Sequence, residues 1–90
     1  MNRSEVTQIL YEYFNIYHTR VNNKIYKKLF TKTREPVGVH INNKVYISGV
    51  NHVYICNEEL VLRDKYAFMQ VNIPYRDIMD LQCYLQYEDD

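Results

Sequence analysis

His52 and Cys56 stand four residues apart, and with His40 they are the residues whose types could share a metal ion, since zinc favours imidazole and thiolate. Two or three such ligands in a strand-rich stretch lack the paired spacing of a structural zinc site. They read instead as ordinary half-buried side chains, and no metal or cofactor is expected. Asp77 and Asp80 lie three apart and would share a helix face, where paired carboxyls can divide the roles of acid and base. Carboxylates near a polar chain end are usually solvated, so the pair reads as surface. A glycine-flanked serine, a phosphate-cradling glycine loop and a His-Glu-x-x-His pair are all missing from the 90 residues. The chain is therefore read as non-enzymatic: it works by contact.

Charge segregation is the informative feature. From Arg20 to Arg34 the chain carries Arg20, Lys24, Lys27, Lys28, Lys32 and Arg34 with no acid, a local charge of +6. With Tyr26 and Phe30 interleaved, this block has the makeup of a phosphate-contacting surface with rings for base stacking. From Tyr75 to Asp90 it carries Arg76 against Asp77, Asp80, Glu88, Asp89 and Asp90, a local charge of −4. That end repels nucleic acid and suits a basic protein surface. A formal net charge of zero and a pI near 6.8 lack the excess positive charge of nonspecific nucleic-acid binders.

Such residues need a small scaffold. One core is all that 90 residues support, so a single domain is expected. Ten tyrosines against two glycines and two prolines favour strands and amphipathic surfaces over long loops. Cys56 and Cys83 are the only cysteines, too few for a stapled secreted domain, and they read as buried reduced thiols. With no basic-then-apolar leader before Asn2, Arg3 and Ser4, an intracellular, cytoplasmic location is expected. No apolar run approaches the roughly 18 residues of a membrane span, so no membrane contact is expected.

Val6, Ile9, Leu10, Tyr13, Phe14 and Tyr17 form one helical stripe, with Ser4 as N-cap and Glu5 in the first turn; the pattern predicts a helix over 4–20 or longer. Val21-Asn22-Asn23-Lys24-Ile25-Tyr26 recurs as Ile41-Asn42-Asn43-Lys44-Val45-Tyr46. Two asparagines after a β-branched residue suit a two-residue hairpin, which is assigned to Asn42-Asn43. Around Asn22-Asn23 a continued or broken helix is preferred, because Lys24, Lys27 and Lys28 fit a solvent face, although a hairpin stays open. From Pro36 short strands are predicted at 37–41, 44–48, 53–56, 60–63 and 66–73, with Gly49 at a bulge or bend. A short helix or a final strand follows Pro74.

An N-terminal helix followed by about five short, strongly bent strands resembles the plan of the Sm-like small β-barrel, and residues 36–82 resemble that family in spacing. Gly49, Tyr54 and Leu60-Val61-Leu62 match the glycine, aromatic and apolar triplet of its first motif without a gap. Ile73-Pro74-Tyr75-Arg76-Asp77-Ile78 is similar to the short turn and final strand of these barrels, and to the Ile-Pro-aromatic-x-x-Ile ending of YolD-like and PRC-barrel proteins. The resemblance implies an α+β fold with a small, strongly bent antiparallel sheet of Sm/SH3 type, and strand edges available for homo-oligomers. It does not carry over the RNA pocket. The family's pocket aspartate and asparagine align with Ile55 and Glu59, and neither can replace them: one accepts no bond, the other repels phosphate. The arginine-glycine or lysine-histidine signature of the second motif is also absent, although Arg76 lies nearby.

The sequence thus points first to a protein-interaction module, an adaptor or inhibitor of the sort that small phage and mobile-element proteins often are. Asp77, Asp80, Glu88, Asp89 and Asp90 would be its acidic contacts, beside a Tyr-rich surface. The alternative is a nucleic-acid-binding regulatory module using Arg20, Lys24, Tyr26, Lys27, Lys28, Lys32 and Arg34.

Overall fold

A computed structural model describes residues 1–21, 24–32, 37–64 and 68–85, with side chains described outside 16–30. Helix α1 spans Arg3–Leu10. Its cap is Asn2 and not Ser4: the Asn2 side chain accepts from the Glu5 N–H at 2.8 Å, and the Glu5 carboxylate accepts from the Asn2 N–H at 3.2 Å. This reciprocal capping box sets the helix start at Arg3, ahead of the apolar stripe that begins at Val6. The helix also ends ten residues before the predicted limit. Strand β1, Phe14–Val21, takes over where aromatic and β-branched residues accumulate. Val6 and Leu10 are fully buried and Phe14 nearly so, so the stripe that suggested one long helix serves the core from two elements.

Strand β2, Lys24–Thr31, replaces the helix preferred for that segment. It pairs antiparallel with β1 in unbroken register from Phe14↔Thr31 to Val21↔Lys24. Asn22 and Asn23, between them, lie outside the described residues. A strand satisfies each backbone group against its neighbour, and alternating Lys24, Ile25 and Tyr26 fit its period of two as well as a helix's face.

From residue 37 onward the described residues form five strands: β3 Val37–Ile41, β4 Val45–Ile55, β5 Glu59–Asp64, β6 Gln70–Pro74 and β7 Leu81–Leu85. The strands expected at 44–48 and 53–56 are one long strand, β4, with Gly49 inside it at φ +68°. Glycine meets that backbone conformation without the Cβ penalty, and β4 changes neighbours around it. Its first half pairs with β3, its second half with β2 and β5, with register shifts near Val50 on both sides. The strand expected over 66–73 begins at Gln70, residues 65–67 lying outside the description. A 3-10 turn, Tyr75–Asp77, precedes β7.

The seven strands among the described residues belong to one antiparallel sheet in the order β1-β2-β4-β3-β7, with β5 and β6 added on β4's other side. Among the described residues β6 and β7 do not pair, so the sheet is not closed into a barrel. Inward residues of β3, β4 and β5 (Val37, Val39, Ile41, Ile47, Val53, Leu60, Leu62) meet α1, and Ile78 and Leu81 complete the core. Each such side chain contributes about 1.5–3 kcal/mol on burial.

The predicted hairpin at Asn42-Asn43 is present. Both residues have positive φ, 57° and 56°, and the Lys44 N–H donates to the Ile41 carbonyl at 3.1 Å. Asn42 does more than turn the chain. Its side-chain oxygen accepts from the N–H groups of Met79 (2.7 Å) and Asp80 (3.0 Å), and its amide donates to the Asp77 carbonyl at 2.7 Å. The β3–β4 turn is thereby tied to the segment that leads into β7.

Candidate partner-binding surface

Strand alternation sends Val37, Val39 and Ile41 inward, so Gly38 and His40 belong to the outer face of β3. Their cross-strand partners are fixed by register. Tyr46 of β4 lies opposite His40, and Tyr84 of β7 lies opposite Gly38. These three side chains form an aromatic cluster on the outside of the sheet. The Tyr46 and Tyr84 rings are parallel within 3°, with centroids 6.1 Å apart. His40 stands edge-on to both, at 4.7 Å and 5.5 Å. The Tyr84 hydroxyl and His40 Nε2 share a hydrogen bond at 3.1 Å.

Gly38 makes the arrangement possible. A Cβ at that position would sit 2.8 Å from the Tyr84 ring, closer than carbon atoms pack, and 3.2 Å from the Tyr46 ring, a tight contact. The rings therefore lie down on bare backbone, yet remain 45% and 39% exposed for Tyr46 and Tyr84. The Tyr84 phenol is pushed up to about 12, by its hydrogen bond with Tyr46 first and by desolvation second. It stays a neutral donor across the physiological range.

The acidic residues named from sequence are only partly brought together. Asp77 is exposed at the end of the 3-10 turn and Asp80 half-buried just before β7, both beside the Asn42 turn. Arg76 and Lys44 are exposed in the same region, so these two carboxylates do not make a single-sign patch. Glu88, Asp89 and Asp90 lie outside the described residues.

Most of the basic residues gather on two paired strands by backbone position. Arg20 belongs to β1, and Lys24, Tyr26, Lys27 and Lys28 to β2. Among the described residues only Lys27–Phe30 of β2 pairs with β4, and the part bearing Arg20, Lys24 and Tyr26 extends past that pairing as a two-stranded ribbon. Lys32 is exposed, its N–H donating to the Tyr13 carbonyl at 3.0 Å, and Arg34 lies outside the described residues.

On the other half of the outer face the Arg63 guanidinium stands 5.5 Å over the Tyr54 ring and donates twice to the Gln70 side-chain oxygen, at 3.1 Å and 2.6 Å. Gln70 donates to Asn72, and Asn72 to Glu59. This ladder satisfies its own members. Cys56 and Cys83 are free and half-buried, less buried than expected. Burial pushes the Cys83 thiol up to about 12 and raises that of Cys56, which leaves little thiolate to act as ligand or nucleophile. Among the described residues no group of three or more His, Cys, Asp or Glu side chains could hold a metal ion, and His40 is engaged with tyrosines.

Sequence reasoning weighed His40 only as a metal ligand, read it as an ordinary half-buried side chain, and did not single out Tyr46, Tyr84 or Gly38. The available signal was a glycine in mid-strand, which marks a close approach. The ring that comes nearest to it, Tyr84, belongs to β7, more than forty residues away, and that pairing has no local trace.

No helix among the described residues is long and apolar enough to cross a membrane. Comparison with protein-family models, with curated proteins and with solved structures finds no match.

Proposed function

We propose that this chain is a non-enzymatic protein-interaction module, an adaptor or inhibitor that occupies a partner protein's surface through the outer face of β3, β4 and β7. The observation that carries this reading is the exposed pair of parallel tyrosines, Tyr46 and Tyr84, seated on Gly38 and held by His40. Tyrosine offers a large contact area with few rotatable bonds, and it is enriched where interfaces concentrate their energy. A ring pair already ordered by its neighbours loses little freedom on binding. Asp77 and Asp80 lie beside the Asn42 turn, at one end of the strands that carry the rings, where they add polar contacts at the rim.

The scaffold reading that accompanies this is the Sm/SH3-like small barrel, left open between β6 and β7. It is supported by an N-terminal helix before an antiparallel sheet, by Gly49 at positive φ within the longest strand, and by the burial of Tyr75 and Ile78 in the Ile-Pro-Tyr-Arg-Asp-Ile segment. The Tyr75 hydroxyl donates to the Cys56 carbonyl at 2.7 Å, which gives that segment's aromatic a defined structural task.

Affinity capture with the tagged chain, after nuclease treatment, tests the proposal. A retained protein should be lost when Tyr46→Ala and Tyr84→Ala are combined, with each change weakening binding by about 2 kcal/mol if both rings are central contacts. Capture unaffected by the double change would contradict it.

The gathering of Arg20, Lys24, Lys27 and Lys28 on one β-ribbon favours nucleic-acid binding as a second reading, because a two-stranded ribbon fits a major groove. Binding to random duplex at low salt, reduced by Lys27→Glu with Lys28→Glu and insensitive to the tyrosine changes, would support this reading over the first.

A further inference from the structure

Strand β1 is an outer edge of the sheet: among the described residues it pairs with β2 alone. Its register against β2 runs without a shift, and from Phe14 to Val21 it holds no proline, no carboxylate and a single Lys or Arg, Arg20. Sheet proteins ordinarily interrupt such an edge with a proline, a bulge or several charges, because every second residue offers an unpaired N–H and C=O. The other two edges are different. β6 has five residues and ends at Pro74, while β7 packs against α1.

The ladder tells which groups face outward. The Lys32 N–H donates to the Tyr13 carbonyl, so Tyr13 and Lys32 form a hydrogen-bonded pair next to Phe14↔Thr31. Antiparallel pairs alternate between bonded and non-bonded. Asn15, Tyr17, Thr19 and Val21 therefore bond to β2, and Phe14, Ile16, His18 and Arg20 present their N–H and C=O groups to the open side.

We propose that two copies of the chain form a two-fold dimer by antiparallel pairing of their β1 edges. With the axis at Tyr17, Ile16 faces His18 of the partner subunit and Phe14 faces Arg20 of the partner subunit. This register engages all four outward-facing residues of each edge and sets Arg20 against an uncharged residue, so like charges do not meet. The pairing joins two seven-stranded sheets into one and is independent of the tyrosine face.

Sedimentation equilibrium combined with amide hydrogen exchange tests it. The expected mass is twice the 11.0 kDa of the chain, and the Ile16 and His18 amides should gain at least about tenfold protection as concentration rises through the dimerisation range. His18→Pro removes an outward-facing donor and no β1–β2 bond, so it should return the mass to that of one chain. A single-chain mass at every concentration, Ile16 and His18 amides that exchange freely in a dimer, or a dimeric folded His18→Pro variant would each overturn the proposal. Should His18→Pro fail to fold, the exchange of the unaltered chain decides alone.

Discussion

Asn42 combines two duties that are usually separate, a backbone in the left-handed region and a side chain that clamps another segment. Replacing it with alanine removes three hydrogen bonds and leaves a Cβ residue at φ 57° without the local polar compensation of asparagine. Asn42→Ala should cost about 2–4 kcal/mol in urea denaturation, and Asn42→Gly about 1 kcal/mol less, because glycine keeps the turn and loses only the clamp. At Gly38 the problem is space. Gly38→Ala should destabilise by about 1–3 kcal/mol, and most of that loss should vanish in a Tyr84→Ala background, where the obstructing ring is gone. Tyr75 and Cys83 govern the alkaline limb. Burial pushes Tyr75 from 10.0 to about 12 and Cys83 from 9.0 to about 12. A native state that holds its protons longer than the unfolded chain keeps the associated stability below the unfolded values and loses it as pH rises through the folded ones. Thermal midpoints should therefore fall between about pH 9 and 12, and less steeply in Tyr75→Phe, which at neutral pH also loses the bond to the Cys56 carbonyl, about 1 kcal/mol.

Elements were legible where the signal was local. The Asn42-Asn43 turn, β3, β5 and the existence of a first helix all followed from residues adjacent in sequence. Errors arose where two periods fitted the same residues. Val6, Leu10 and Phe14 satisfy a helical stripe, but only the first two belong to α1, because the capping box and the β-rich run after Tyr13 set the ends. Lys24 to Thr31 fitted both a helix face and a strand, and pairing with β1 on one side and β4 on the other decided it. Gly49 was read correctly as a bend but incorrectly as a break, since a glycine at positive φ lets one strand continue through it. Gly49→Ala should therefore cost about 1–2 kcal/mol from backbone strain alone, as nothing lies within 4 Å of the added Cβ. A Gly49→Asn variant, measured beside it, should recover part of that loss. The candidate surface was not legible at all as a unit, because β7 reaches β3 only through tertiary pairing.

At the scale of the whole molecule, the sheet order separates two kinds of surface. The path begins with the hairpin that carries Arg20, Lys24, Lys27 and Lys28 and ends with β7, where Tyr84 joins Tyr46 and His40. Tyr46, Tyr84 and His40 are not members of the buried core, which draws on α1, on Phe14, on the inner faces of β3, β4 and β5, and on Tyr75, Ile78 and Leu81. Combining Tyr46→Ala and Tyr84→Ala should accordingly leave the chain folded, with binding as the property that changes. The central claim is that this aromatic face is where a partner protein sits. Photo-crosslinking tests it most directly, with the benzophenone analogue of phenylalanine placed in turn at Tyr46, at Tyr84 and, as reference on the other half of the outer face, at Asn72. Discrete, nuclease-resistant protein adducts from Tyr46 and Tyr84 but not from Asn72 are the predicted result. Adducts from Asn72 alone, or adducts that disappear with nuclease, would contradict it.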